Sequence, residues 1–223
     1  MPRKKQHAAK DDASGANRAH VNEARKGRTR AKILAAAVEV VAEEGMTNAV
    51  IDDFIKAAGV ARGTFYNYFK SIDEVLQAAA QALEDDLMIS IESEISMLGD
   101  PLERLATGVR LWMRKARADR AWCAFVARYR YHGALVEATV TSDLREGARL
   151  GKFSLPSIES GRDLLVGTIR EAMGRMADAP TRSGYADEIT AVVLRGLGVD
   201  ERGIRKALAR PAPTMRRAPR PLR

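Results

Sequence analysis

The chain is predicted to be all-α: an N-terminal three-helix unit with a helix-turn-helix, followed by a larger helical body. Three observations lead there. Apolar residues recur at helical spacing along most of the 223 residues, no apolar/polar alternation persists beyond a few residues, and prolines are placed as helix punctuation. Only Pro101, Pro156 and Pro180 lie between Pro2 and Pro211, each beside residues suited to a helix end.

Taken in order, residues 30–44 carry Leu34, Ala37, Val38 and Val41 on one stripe, with Gly45 just beyond. The next helix has Ile51, Phe54, Ile55 and Ala58 at the i, i+3, i+4, i+7 positions of a buried face, leaving Asp52, Asp53 and Lys56 for solvent. Gly59 stands where a left-handed residue ends that helix without the steric cost of a side chain. Val60, Phe65 and Phe69 then plug a second short helix onto the first, which leaves Arg62, Thr64, Tyr66 and Asn67 on or near its outer surface. Two short helices joined by a glycine turn can lay the second into a DNA major groove, and these side chains hydrogen-bond or pack against base edges and phosphates.

Ser71-Ile-Asp-Glu74 reads as a capping box opening a helix from Ile72 into the nineties. Asp100-Pro101 fits N-cap and first helical position, with Leu102, Leu105, Val109 and Met113 on one face. Further helices are predicted at about 120–131, 134–150, 157–178, 184–197 and 201–209 from the same spacing rules. The domain boundaries that follow are a basic, disordered arm over 1–27, a helix-turn-helix domain over 28–76, a helical body over 77–210 and a Pro/Arg-rich tail over 211–223.

Charge is unevenly spread. Residues 1–32 hold ten Lys/Arg against three Asp/Glu and residues 202–223 hold eight against none, so the middle of a chain with net charge +8 is acidic. Localised positive charge beside a DNA-binding unit neutralises phosphates, and Arg25, Lys26, Arg28 and Arg30 run straight into the first predicted helix. Solubility is the competing reading of both tails. Cys123 is the only cysteine, which excludes an intrachain disulfide and a cysteine-based zinc site. Without a long apolar run or a signal-type start, the expected location is the cytoplasm, with no membrane partner.

Enzyme classes find little support. The three histidines, His7, His20 and His132, cannot make a His-rich metal site; there is no phosphate-binding loop ending in Gly-Lys-Ser/Thr and no G-x-S-x-G turn. No cofactor and no metal are expected. Trp112, Met113, Trp122, Phe125, Tyr129, His132 and Met173 supply the apolar walls and polar tips that a pocket between helices needs, and the same residues can equally be core.

The run Ala58-Gly-Val-Ala-Arg-Gly-Thr-Phe-Tyr-Asn-Tyr-Phe69, followed by Lys70-Ser-Ile-Asp-Glu-Val-Leu76, resembles the N-terminal domain of TetR-family transcriptional regulators. The match covers roughly residues 28–76. Three positions depart from the family pattern: Ala49 in place of a helix-opening threonine, Ala61 in place of a serine or threonine, and Ile72 in place of a phosphate-contacting lysine, for which Lys70 is the nearest substitute. The resemblance implies a homodimer on double-stranded operator DNA, commonly as a repressor released by a small-molecule effector. It places Arg62, Gly63, Thr64 and Tyr66 at bases or adjoining backbone, and Asn67, Tyr68 and Lys70 at phosphates, with Arg28 and Arg30 adding charge. It also implies dimerisation through the last two long helices, carrying Leu164, Leu165, Thr168, Ile169 and Met173 on one and Ile189, Val192, Val193, Leu194 and Leu197 on the other. The alternative is a non-specific nucleic-acid binder driven by its basic tails.

Overall fold

The computed structural model describes residues 4–44, 49–129, 133–211 and 213–215. Ten helices and no strand occur among them: α1 (Lys4–Glu44), α2 (Ile51–Ala58), α3 (Arg62–Tyr66), α4 (Ile72–Ile95), α5 (Pro101–Ala118), α6 (Arg120–Ala127), α7 (Ala134–Arg149), α8 (Ile158–Asp178), α9 (Tyr185–Gly196) and α10 (Glu201–Ala209). They form two compact units, one ending at Ala79 and one beginning at Ala80.

The first unit differs from expectation at its start. The arm predicted over 1–27 is helical from Lys4 onward, in one piece with the predicted helix at 30–44. Alanine and straight-chain polar residues dominate this stretch and no proline interrupts it, so backbone propensity carries the helix although residues 20–28 are exposed all round. Packing starts at Ile33, and the buried stripe is Ile33, Leu34, Ala37 and Val40, with Val38 and Val41 only half-buried.

α2 buries Phe54 and Ala58 completely and leaves Ile51 and Ile55 half-buried. Its N-cap is Val50, which lacks a capping oxygen. The Asp53 carboxylate accepts from the Val50 N–H at 2.8 Å in its place. Gly59 has φ 55° and ψ 45°, and its N–H bonds back to Lys56 O at 3.0 Å. This is the left-handed helix end that the sequence predicts. α3 opens on Ala61 with no side-chain cap, as the departure from the family pattern implies. Ser71 Oγ accepts from the Glu74 N–H at 3.2 Å to open α4, but the Glu74 carboxylate takes the Lys70 N–H, at 2.7 Å, one residue earlier than a standard capping box.

In the second unit, α5 packs against α6, α7, α8, α9 and α10, α6 lies along α8, and α8 packs on α9. The shared core holds Leu87 and Ile91 of α4, Leu111 and Met113 of α5, Val126, Leu144, Leu165, Met173, Val193, Leu194 and Ile204. α4 meets α5 at Gly108, where a Cβ would lie 3.7 Å from Ile91 and Ile95. The N-terminus of α7 is capped from another helix, since Asp85 of α4 accepts from the Val136 N–H at 3.3 Å. Gly133, the α7 N-cap, lies against that carboxylate too closely for any side chain. α5 and α8 start as predicted, with Asp100 accepting from Leu102 N at 3.0 Å and Ser157 from Ser160 N at 3.1 Å.

The C-terminal tail also departs from expectation in its first residues. Arg110, whose side chain is nearly buried, pairs with Asp187 at 2.7 Å and donates to Arg210 O at 2.6 Å, and Arg114 donates to Pro213 O at 2.9 Å. Met215 packs against the core. Arg114 on α5 thus satisfies a backbone carbonyl of a segment that composition alone marks as unstructured. Cys123 is fully buried on α6 with its thiol donating to Met173 O, and burial, helped by the Asp119 charge and opposed by Arg120, pushes its pKa up to about 11.

Gly59→Ala is expected to destabilise the first unit by roughly 1–2 kcal/mol, because the left-handed backbone there is costly for any L side chain. Denaturant unfolding of the full chain checks this; an unchanged midpoint would mean that the turn relaxes freely.

Candidate functional site

The outer surface of α3 is fixed from beneath. Phe65 is fully buried and Phe69 nearly so, their centroids 6.1 Å apart, and Tyr66 meets Phe65 edge-on at 5.8 Å. Each ring contributes about 1.5–3 kcal/mol by burial. Arg30 of α1 places its guanidinium 5.5 Å from the Phe69 ring centroid, a cation–π contact that ties the first helix to the chain just beyond α3.

With those rings turned inward, Arg62, Gly63, Tyr66 and Asn67 are exposed, while Thr64 and Tyr68 are half-buried. Lys70, Arg28 and Arg30 are exposed as well. All nine residues expected at DNA lie in the first unit. Arg62 is not loose in solvent: its guanidinium bonds the Asp52 carboxylate of α2, both side chains remaining well exposed. Sequence spacing does not reveal this partner, which lies across the turn at Gly59. An exposed pair of this kind adds about 0–1 kcal/mol to stability, so its effect is to orient Arg62 rather than to hold the fold.

A cavity of about 70 Å³ lies in the second unit, walled by α4, α5, α6, α7 and α8. Of the seven side chains expected at a ligand, Trp112 and Met173 line it, and the Trp112 Nε1–H points to Met173 Sδ at 3.2 Å. Met113, Trp122, Phe125 and Tyr129 stand outside the wall, and His132 lies outside the described residues. The reason is helical phase. Leu105, Gly108, Val109 and Trp112 face the cavity from α5, whereas Met113, one position and about 100° further round, is fully buried in the core. Trp122 meets the wall residue Trp112 edge-on at 6.0 Å and so backs the wall without forming it, while Phe125 and Tyr129 pair with each other edge-on at 5.6 Å.

The sequence reading missed the charged groups of the cavity: Glu84 and Glu92 on α4, Arg104 on α5, Asp143 on α7 and Arg170 on α8. Arg104 is 2.9 Å from Asp143 and 3.7 Å from Glu92. Burial raises the Asp143 pKa above the usual carboxylate range, against the pull of Arg104 and with the push of Glu92. Arg170 donates to Tyr129 O. These residues come from four helices spread over nearly ninety positions, and no local pattern joins them.

Among the described residues no group of three or more His, Cys, Asp or Glu could hold a metal ion, and no helix is long and apolar enough to cross a membrane. The ten residues expected to dimerise divide in two. Leu165, Met173, Val193, Leu194 and Leu197 are core of their own chain, while Leu164, Thr168, Ile169 and Ile189 are half-buried and Val192 is exposed.

Residues 33–79 match the profile of bacterial regulatory proteins, tetR family. Over 52 residues the chain is 50% identical to the uncharacterized HTH-type transcriptional regulator YvdT of Bacillus subtilis (strain 168), covering 23% of this chain and 27% of that protein. Over 75 residues it is 35% identical to the fatty acid metabolism regulator protein of the same organism, covering 34% and 39%. These matches span well under half the length of either relative. The crystal structure of RolR in complex with resorcinol superposes with a TM-score of 0.70 at 25% identity, covering 86% of this chain and 99% of that one. Over residues 33–79 the chain is thus similar to the tetR family of bacterial regulatory proteins, and over most of its length its all-helical fold resembles that of RolR.

Proposed function

We propose that the chain is a sequence-specific, homodimeric transcriptional repressor that leaves its operator when a small molecule occupies the cavity of the second unit. The observation that carries the DNA-binding part is the exposed set Arg62, Tyr66 and Asn67 on a short helix whose opposite face is locked by Phe65 and Phe69. Arg62 reads a base edge, guanine offering the best pair of acceptors; Gly63 lets the backbone approach, and Thr64 and Tyr66 contact bases or adjoining backbone. Asn67, Tyr68 and Lys70 hold phosphates, supported by Arg28 and Arg30.

The half-buried and exposed apolar residues Leu164, Ile189 and Val192 of α8 and α9 supply the twofold interface. A pair of reading heads follows from symmetry, and a near-palindromic site doubles the contacts that one five-residue helix can make. The effector part rests on the cavity and on the similarity to RolR, whose structure contains resorcinol. α4 supplies Glu84, Met88, Ile91, Glu92 and Ile95 to the cavity, and its residues 72–79 belong to the DNA-binding unit. A shift of α4 on ligand binding needs only about 1–3 kcal/mol of coupling to change operator affinity 5- to 150-fold.

Selection of bound duplexes from a random DNA pool at moderate salt tests the DNA-binding reading, with a two-fold symmetric consensus as the expected result. Binding without a consensus would assign the protein to tail-driven, salt-dominated association. On the selected site Arg62→Ala is expected to cost about 1–3 kcal/mol and to relax preference at one position per half-site. Uniform weakening on all sequences would move Arg62 to the backbone. Val192→Glu should shift the chain toward monomer in sedimentation and weaken operator binding, whereas an unaffected dimer would relocate the interface. Gly108→Leu, filling the cavity beside Ile91 and Ile95, should preserve operator binding and abolish release by an effector.

A further inference from the structure

We infer that the cavity of the second unit selects a compact, largely apolar alcohol or phenol whose hydroxyl is met jointly by Glu92 and Arg104. This deepens, and rests on, the reading of that cavity as the effector site. Most of the wall is apolar, formed by residues such as Met88, Ile91, Leu105, Val109 and Trp112, and polarity enters from the few charged side chains described above. Arg104 and its two carboxylate neighbours make one such polar patch. Arg104 gives its short contact to Asp143, at 2.9 Å, and stands 3.7 Å from Glu92, too far for a hydrogen bond. Glu92 Oε1 and Arg104 Nε are each buried with no hydrogen-bond partner among the described residues. An acceptor and a donor thus stand unmet on two neighbouring side chains, at a cost in free energy that a ligand can recover.

The chemistry of the occupant follows from what each functional group offers. A hydroxyl donates its O–H to Glu92 Oε1 and accepts from the Arg104 Nε–H through the same oxygen. A carboxylate has no proton for Glu92 and adds a third negative charge beside Glu92 and Asp143, against the single guanidinium of Arg104. An ammonium has no lone pair for Arg104, and a hydrocarbon meets neither group. Glu84 and Arg170, also in the wall, are opposite in charge and leave this balance unchanged. Size narrows the class further. The cavity is about 70 Å³, and an engineered cavity of about 150 Å³ holds benzene. A single ring is therefore the upper limit of size, and seating one requires rotation of the adaptable Met88 and Met173 side chains. A long acyl chain has no room.

The test is to titrate the full-length protein with phenol, toluene, benzoate and benzylamine by calorimetry, with Gly108→Leu as the control that locates binding in the cavity. Phenol is expected to bind roughly 10- to 100-fold tighter than toluene, the yield of one or two net hydrogen bonds, with both charged compounds weaker than phenol. In Glu92→Leu, phenol should fall to the level of toluene while toluene is retained; if that variant does not fold, the wild-type ranking decides alone. Equal binding of phenol and toluene overturns the hydroxyl assignment and leaves the cavity as an apolar effector site. A lead for benzoate or benzylamine overturns the chemical class. Failure of all four to bind, or binding that Gly108→Leu does not affect, overturns the effector reading of this cavity together with the inference.

Discussion

A helix of five residues cannot hold itself together. Nucleation fixes several backbone angles for each hydrogen bond gained, so an isolated α3 would be unfolded in water. What keeps it is the burial of Phe65 and Phe69 against the rest of the first unit, with Phe54 and Ala58 of α2 fully buried and Gly59 turning the chain between them. Every exposed group on α3 has its position only because those two rings have theirs. Loss of either ring would cost about 3–5 kcal/mol and remove the platform along with the stability. The cation–π contact of Arg30 extends this dependence to α1, linking the long helix to Phe69.

The second unit rests on a different balance. Its core is ordinary helix-on-helix packing around α5, but several polar groups have been drawn inside. Asp143 and Arg104 are paired, Arg110 is tied to Asp187 and to the Arg210 carbonyl, and Asp85 caps a helix that is not its own. Paired buried charges rarely improve on apolar packing for stability, yet breaking one partner is strongly unfavourable. Such contacts therefore specify which helices meet and in what register. Gly133, pressed against Asp85, and Gly147, pressed against the Phe153 ring, mark two places where this register leaves no room for a side chain.

Much of this was legible in the sequence wherever one helix face decides the outcome. The i, i+3, i+4, i+7 pattern of α2, the left-handed Gly59, the inward Phe65 and Phe69, and the cap Asp100 are local properties, and each is where local physics puts it. The start of α1 departs from expectation because the helix propensity of an alanine- and lysine-rich run outweighs the mutual repulsion of its positive charges. Of the aromatic and methionine residues near the cavity, composition identified the neighbourhood but not the phase, so Trp112 lines it and Met113 does not. Glu92, Arg104 and Asp143 were beyond reach, since three residues on three helices become neighbours only when the bundle closes. The Arg62–Asp52 pair was hidden for a similar reason, formed across a turn rather than along a face.

The single thiol has a practical side. With its pKa pushed up to about 11 and its sulfur wholly inside, Cys123 is present as thiolate in only about one molecule in ten thousand at neutral pH. Native protein is thus close to cysteine-free for maleimide and iodoacetamide chemistry. One cysteine introduced at an exposed position of α3 would carry a spectroscopic label with negligible background, and in an assembly of two copies a pair of such labels would report the distance between the two α3 helices directly.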